Sequence, residues 1–150
     1  MNASKRLQPI KNLADKTEKN AAIDLSESIK YKQEQIEKLS QLISYRDEYL
    51  VKISEQSRKG VSSSQLQQFH RFLNKLNIAI NQQRESVEIS ENNVGAKTDH
   101  WQAKNSRAQA IGKVMSGMQT KEKLVKERKE ANQADEISTQ AYVRRTKIAS

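Results

Sequence analysis

Cysteine is absent from the 150-residue sequence, proline occurs once and glycine four times. Without cysteine, the chain has no disulfide framework and no thiolate metal or redox centre. So few turn residues also disfavour a β-sandwich or barrel, because such folds need turns about every 8–12 residues. Hydrophobic residues make up 35% of the chain, below the roughly 45–50% that is typical of globular domains. The composition therefore argues against a compact globular core.

Long hydrophobic runs are also missing, since no run of apolar residues exceeds three. A membrane-spanning helix needs about 20 apolar residues, and a secretory signal needs an apolar core of its own. We therefore expect a cytoplasmic protein without a transmembrane segment.

Positive charge exceeds negative charge by nine, but it is not concentrated in one region. Residues 1–60, 61–118 and 119–150 each carry a surplus of three basic residues. A nucleic-acid-binding arm usually gathers its lysines and arginines into one stripe or tail. The even spread disfavours specific nucleic-acid binding. A basic rod that binds nucleic acid remains an alternative.

Apolar residues recur at alternating three- and four-residue steps in two long segments, over 22–53 and 66–118. A repeat of 3.5 residues sustained over many turns is typical of a coiled coil. A short break at Gly60 between the segments indicates two antiparallel helices. The residues expected to form the seam between them are Ile29, Ile36, Ile43, Leu50, Leu73, Ile80, Val87, Val94 and Trp101.

The sequence thus predicts an all-α fold, an antiparallel coiled-coil hairpin formed by a monomer as one elongated domain over 1–150. Ser64 and Gln67 have the spacing of a capping box that opens a helix. Pro9 is tolerated in a first helical turn. The predicted parts are helix 1 over 7–58, a turn over 59–63, helix 2 over 64–130, and an overhanging, partly flexible C-terminal segment over 119–150.

The sequence contains no recognisable catalytic motif. His70 and His100 are thirty positions apart and belong to no metal-spaced set, and no glycine-rich phosphate loop or nucleophile elbow occurs. A two-helix coiled coil also lacks the concave pocket that surrounds a substrate. We expect a protein that is not an enzyme and that uses no cofactor or metal.

A second apolar stripe accompanies the predicted seam near the turn. With Ile43 and Leu50 in the seam, neighbouring apolar side chains fall at flanking positions that usually carry Glu or Lys. Such a patch is either a widened seam or a docking surface for a partner protein. Its residues are Leu42, Tyr45, Tyr49, Phe72 and Ala79, with the edge of Leu76.

These residues carry a family resemblance. The run from Gln41 to Tyr49, the Gly-x-Ser-Ser turn from Gly60, and the pattern Phe72-Leu73-x-x-Leu76-x-x-Ala79-Ile80 resemble the FliJ family of the bacterial flagellar type III export apparatus. The resemblance spans nearly the whole chain. Its most specific part is the Leu-x-x-Tyr-x-x-x-Tyr stripe, followed by Phe-x-x-x-Leu.

The resemblance implies a fold similar to the coiled coil of the rotary ATPase γ subunit. It also implies three partners: the hexameric export ATPase, the cytoplasmic domain of the export-gate membrane protein, and the flagellar export chaperones. The protein would act in the cytoplasm, peripherally associated with the inner membrane at the flagellar base. The family's gate-binding surface matches the flanking patch, whereas Lys38 and Gln83 depart from the residues that relatives carry there.

Two alternatives to flagellar export remain at this point. The same architecture suits the equivalent stalk protein of a virulence injectisome, and it also suits a general coiled-coil scaffold or chaperone. The overhang is expected either to enter the ATPase ring or to remain a solvated tail. Six of its basic residues are expected to meet acidic surfaces: Lys121, Lys123, Lys126, Lys129, Arg144 and Arg145.

Overall fold

Two long helices packed against each other make up the fold. The computed structural model describes residues 2–149 and assigns α1 to Ala3–Lys59 and α2 to Ser63–Ala149. No strand occurs among these residues. The helices run antiparallel across a three-residue connection, which confirms the predicted all-α coiled-coil hairpin.

The connection between the helices is built from one glycine and one capping box. Gly60 has a φ of 94°, which is strained for residues with a Cβ, and its N–H bonds the Ser57 carbonyl at 3.2 Å. The Gln65 N–H donates to Ser62 Oγ, and the Ser62 N–H donates to Gln65 Oε1, each at 3.2 Å. The capping box therefore lies two residues earlier than the predicted Ser64–Gln67 pair, because Ser62 has the same spacing to a glutamine.

Both helices extend beyond their predicted ends. α1 begins at Ala3 rather than 7, since the Asn2 carbonyl accepts the N–H groups of Lys5 and Arg6. Pro9 consequently lies inside the helix. α2 continues to Ala149 rather than ending at 130, because no glycine or proline follows Gly117.

The described residues form two compact units. One unit, residues 19–103, contains the turn, and its buried side chains include Ala21, Leu76 and Ile80. The other combines residues up to Glu18 with residues from Lys104 onward, and it buries Ala14, Ala108 and Met115.

On α2 the predicted seam residues are buried or half-buried. Ile80 is only 1% exposed, and Leu73, Val87, Val94 and Trp101 are half-buried. The helix continues without interruption through Gly95, where the phase of the apolar residues is kept.

The seam of α1 is shifted by one residue from the predicted register. The buried residues are Ala14, Ala21, Ser28 and Gln35, which recur every seven positions, and Leu42 and Tyr49 continue this row as half-buried side chains. Ile29 and Leu50 are 47% and 44% exposed, so they lie at the edge, while Ile36 and Ile43 are half-buried. The fully buried part of this row consists of small and polar side chains, so hydrophobicity alone does not reveal it.

No helix in the described part of the chain contains a stretch long and apolar enough to cross a membrane.

Candidate functional site

Four aromatic rings meet beside the turn and form what we call the aromatic cluster: Tyr45, Tyr49, Phe69 and Phe72. The centroids of Tyr49 and Phe72 are 4.6 Å apart, and those of Tyr45 and Phe72 are 6.1 Å apart with the rings nearly perpendicular. Tyr49 also meets Phe69 edge-on at 6.2 Å. Perpendicular and inclined arrangements are favoured by the ring quadrupoles.

Helical spacing brings the aromatic rings together. Tyr45 and Tyr49 lie one turn apart on α1, and Phe69 and Phe72 lie three positions apart on α2, so each pair shares a helix face. The antiparallel turn places these faces side by side. Each ring is therefore held by a neighbour on the other helix.

The predicted patch residues differ in accessibility. Tyr45 is 50% exposed, whereas Leu76 is only 7% exposed and belongs to the core. The remaining predicted patch residues, all half-buried, are Leu42, Tyr49, Phe72 and Ala79. The floor of the patch thus widens the seam, and Tyr45 stands at its exposed edge.

Arg46 follows Tyr45 of the aromatic cluster along α1 and is half-buried. Its Nη2 lies 3.5 Å from Asp47 Oδ1, and its buried Nε has no hydrogen-bond partner among the described residues. A buried donor without a partner is costly to keep, so Arg46 carries a desolvation cost in the hairpin.

The two positions that depart from the family pattern have different surroundings. Lys38 is exposed. Gln83 is half-buried and bonds Gln35 on the opposite helix, so its side-chain amide is occupied within the hairpin.

Residues with metal-binding or catalytic chemistry are not gathered near the aromatic cluster. His70 and His100 are both exposed, and residues 2–148 contain no group of three His, Cys, Asp or Glu side chains placed to hold a metal ion. What the cluster offers is an aromatic surface suited to contact with another protein.

Two contacts are not indicated by the sequence pattern. Phe69 is outside the predicted patch, although its three-residue offset from Phe72 places it on the face that meets Tyr49. In the other unit, Glu122 accepts the Ser4 N–H at 3.1 Å and the Ser4 hydroxyl at 2.7 Å. These bonds, led by the hydroxyl, lower the pKa of Glu122, with a smaller contribution from Lys5. No sequence spacing signals a contact between residues so far apart.

Comparison with known proteins relates this chain to a family. A family model described as "Flagellar FliJ protein" matches residues 4–147. The flagellar FliJ protein of Escherichia coli (strain K12) is 27% identical over 139 residues, covering 93% of this chain and 95% of that protein. The flagellar FliJ protein of Salmonella typhi has the same identity and coverage. No solved structure matches the chain.

The family model spans nearly the whole of both helices, including the turn and the aromatic cluster. The resemblance first carried by the tyrosine stripe and the turn is confirmed by this match. The chain belongs to the flagellar FliJ protein family.

Proposed function

We propose that this protein is a non-enzymatic component of the bacterial flagellar type III export apparatus. In this proposal it is a monomer that couples the export ATPase ring to the export gate and binds flagellar export chaperones. It acts in the cytoplasm, peripherally associated with the inner membrane at the flagellar base. Membership of a flagellar family favours this function over the injectisome stalk and the general scaffold.

The observation that carries the gate contact is the exposed edge of the aromatic cluster. Tyr45 keeps half of its surface in solvent although its ring is held edge-on by Phe72. A pre-positioned aromatic side chain loses little conformational freedom on binding, and tyrosines are enriched among residues that dominate interface energetics. We assign the cytoplasmic domain of the gate protein to this surface, with Tyr45 as the central contact.

The C-terminal part of α2 supports the proposed ATPase contact. Every residue over 123–148 is exposed, although the segment is helical. Basic residues outnumber acidic ones over 119–150 by eight to five. A long, exposed helical segment that carries excess positive charge suits insertion into a ring with acidic surfaces.

A matched pair of tyrosines allows a direct binding test. Tyr31 lies on the same helix as Tyr45 and is 54% exposed, but it is outside the aromatic cluster. We expect Tyr45→Ala to weaken binding of the purified gate domain by about 2 kcal/mol, which is roughly thirtyfold in Kd. Tyr31→Ala should leave gate binding within about twofold of the wild-type value, since it removes an equal exposed area elsewhere.

Binding of the export ATPase serves as the internal control in this experiment. Both tyrosine variants should still fold and bind the ATPase, and Tyr45→Ala should lose at most about 1.5 kcal/mol of stability with its ring contact to Phe72. Equal effects of Tyr45→Ala and Tyr31→Ala on gate binding would contradict the proposed surface.

A further inference from the structure

An apolar groove lies between α1 and α2 in the unit that contains the N-terminal residues. It is lined by Ile10, Leu13, Ala14 and Thr17 of α1 and by Lys104 and Arg107 of α2. Ile10 and Leu13 are 48% and 66% exposed. Because only two helices wall this groove, it cannot surround a small molecule as ligand pockets usually do.

A second apolar hollow adjoins this groove along the same helices. It is lined by Leu7, Ala110, Ile111 and Val114, and Val114 is 53% exposed. Leu7 precedes Ile10 by three positions, and Ala110 follows Arg107 by three, so the two hollows follow one another on shared helix faces. From residue 7 to 17 they cover about 15 Å of α1, or nearly three turns.

The charges around the two hollows have one sign. Lys104 and Arg107 line the first hollow, no carboxylate lines either hollow, and neither cation forms an ion pair among the described residues. Lys11, which lines neither hollow, instead pairs with Asp15 at 2.6 Å and donates to the Ala108 carbonyl. The lining of the groove is therefore positively charged.

We propose that the two hollows together form a groove that binds an acidic amphipathic helix of a partner protein. This site is separate from the aromatic cluster. A third helix laid between α1 and α2 would place apolar side chains at i, i+3 or i+4, and i+7 into the two hollows. Carboxylates at its edge would meet Lys104 and Arg107 at the end of the groove nearer Thr17. Exposed apolar side chains gathered in this way usually mark an interface.

The proposal is tested with synthetic helical peptides and the full-length protein. The probe is a peptide of about 15 residues, long enough for four helical turns, with a leucine row bordered by glutamates. Two matched peptides replace the glutamates by lysines or the leucines by serines. By fluorescence anisotropy, the glutamate–leucine peptide should bind at least about tenfold tighter than either matched peptide.

Variants of the groove locate the binding. Lys104→Glu combined with Arg107→Glu should reverse the preference, so that the lysine peptide binds about tenfold tighter than the glutamate peptide. Lys113→Glu is the control, since Lys113 is an exposed cation of the same helix that lines neither hollow. It should change each affinity by less than about twofold. Leu13→Ser should weaken the binding of both peptides that carry the leucine row.

Reversal of preference distinguishes a docking site from loss of folding, because an unfolded variant would bind neither peptide. Equal affinity of the three peptides for the wild-type protein would overturn the proposal. So would an unchanged preference in the charge-reversed variant, or an equal effect of Lys113→Glu.

Discussion

Gln83 of α2 donates its side-chain amide to two oxygens of Gln35 on α1, the main-chain carbonyl at 2.9 Å and the side-chain Oε1 at 3.0 Å. Gln35 is only 5% exposed, so this pair forms a polar layer within the packed interface. The layer fixes which face of α1 meets α2, because any rotation of α1 would leave buried polar groups without partners.

We predict unequal effects of removing one or both glutamines of this layer. Gln83→Leu leaves Gln35 buried and unsatisfied, so we expect a loss of about 1–3 kcal/mol in the free energy of unfolding. Gln35→Leu combined with Gln83→Leu should recover most of that stability but admit other pairings of the helices. Urea unfolding measures the first effect and light scattering the second. A Gln83→Leu protein as stable as wild type would show that the layer does not set the register.

A pair of isoleucines on α2 tests the position of the core. Ile80 is 1% exposed, whereas Ile78, two positions earlier, is 57% exposed. Ile80→Ala should cost about 2–5 kcal/mol of unfolding free energy, as buried large-to-small substitutions do. Ile78→Ala should change it by less than about 0.5 kcal/mol. Chemical denaturation of both variants provides the comparison, and similar losses would contradict the described packing.

On α2 the three- and four-residue repeat coincides with burial at Leu76, Ile80 and Met115, although Ile78 and Ile89 are exposed and Ser90 is buried. On α1 the most hydrophobic positions are not the most buried ones. The row of Ile29 and Leu50 is the more hydrophobic, but Ser28 and Gln35 are the buried residues. The apolar repeat reflects only the hydrophobicity of each residue. The register of the two helices also depends on how closely their faces can pack and on the residue that hydrogen-bonds Gln35.

The aromatic contacts between the helices were predictable in outline because aromatic residues at flanking positions stand out in any heptad assignment. The burial of Leu76 and the ring contact of Phe69 depend on the rotation of α1 and so required the structure. The contact of Ser4 with Glu122 joins residues 118 positions apart, which no local pattern encodes.

Two glycines should respond oppositely to substitution by alanine. Gly60 has a φ of 94°, where a Cβ is strained, whereas Gly95 lies within α2 and a Cβ there would meet no atom within 4 Å. Gly60→Ala should therefore destabilise the hairpin by about 1 kcal/mol. Gly95→Ala should stabilise it by up to about 1 kcal/mol, because alanine favours the helix. Thermal unfolding followed by circular dichroism measures both shifts, and changes of the same sign would contradict the described backbone.

The Ser4–Glu122 contact should depend on pH. Because hydrogen bonds from Ser4 lower the pKa of Glu122, the contact stabilises the folded state above the unfolded-state pKa of this carboxyl. That stabilisation is lost as the pH falls through the lowered pKa. NMR titration should detect coincident shifts of the Ser4 amide and the Glu122 carboxyl. Ser4→Ala should raise the pKa of Glu122, and an unchanged titration in that variant would contradict the contact.

Site-specific photo-crosslinking in flagellated cells tests most directly whether the aromatic cluster is the gate-docking surface. A photoreactive phenylalanine analogue is placed at Tyr45 or, as the matched control, at Tyr31, which are 50% and 54% exposed. We predict that the analogue at Tyr45 yields an adduct with the cytoplasmic domain of the gate protein and that the analogue at Tyr31 does not. An adduct of equal yield from both positions, or from Tyr31 alone, would contradict the account.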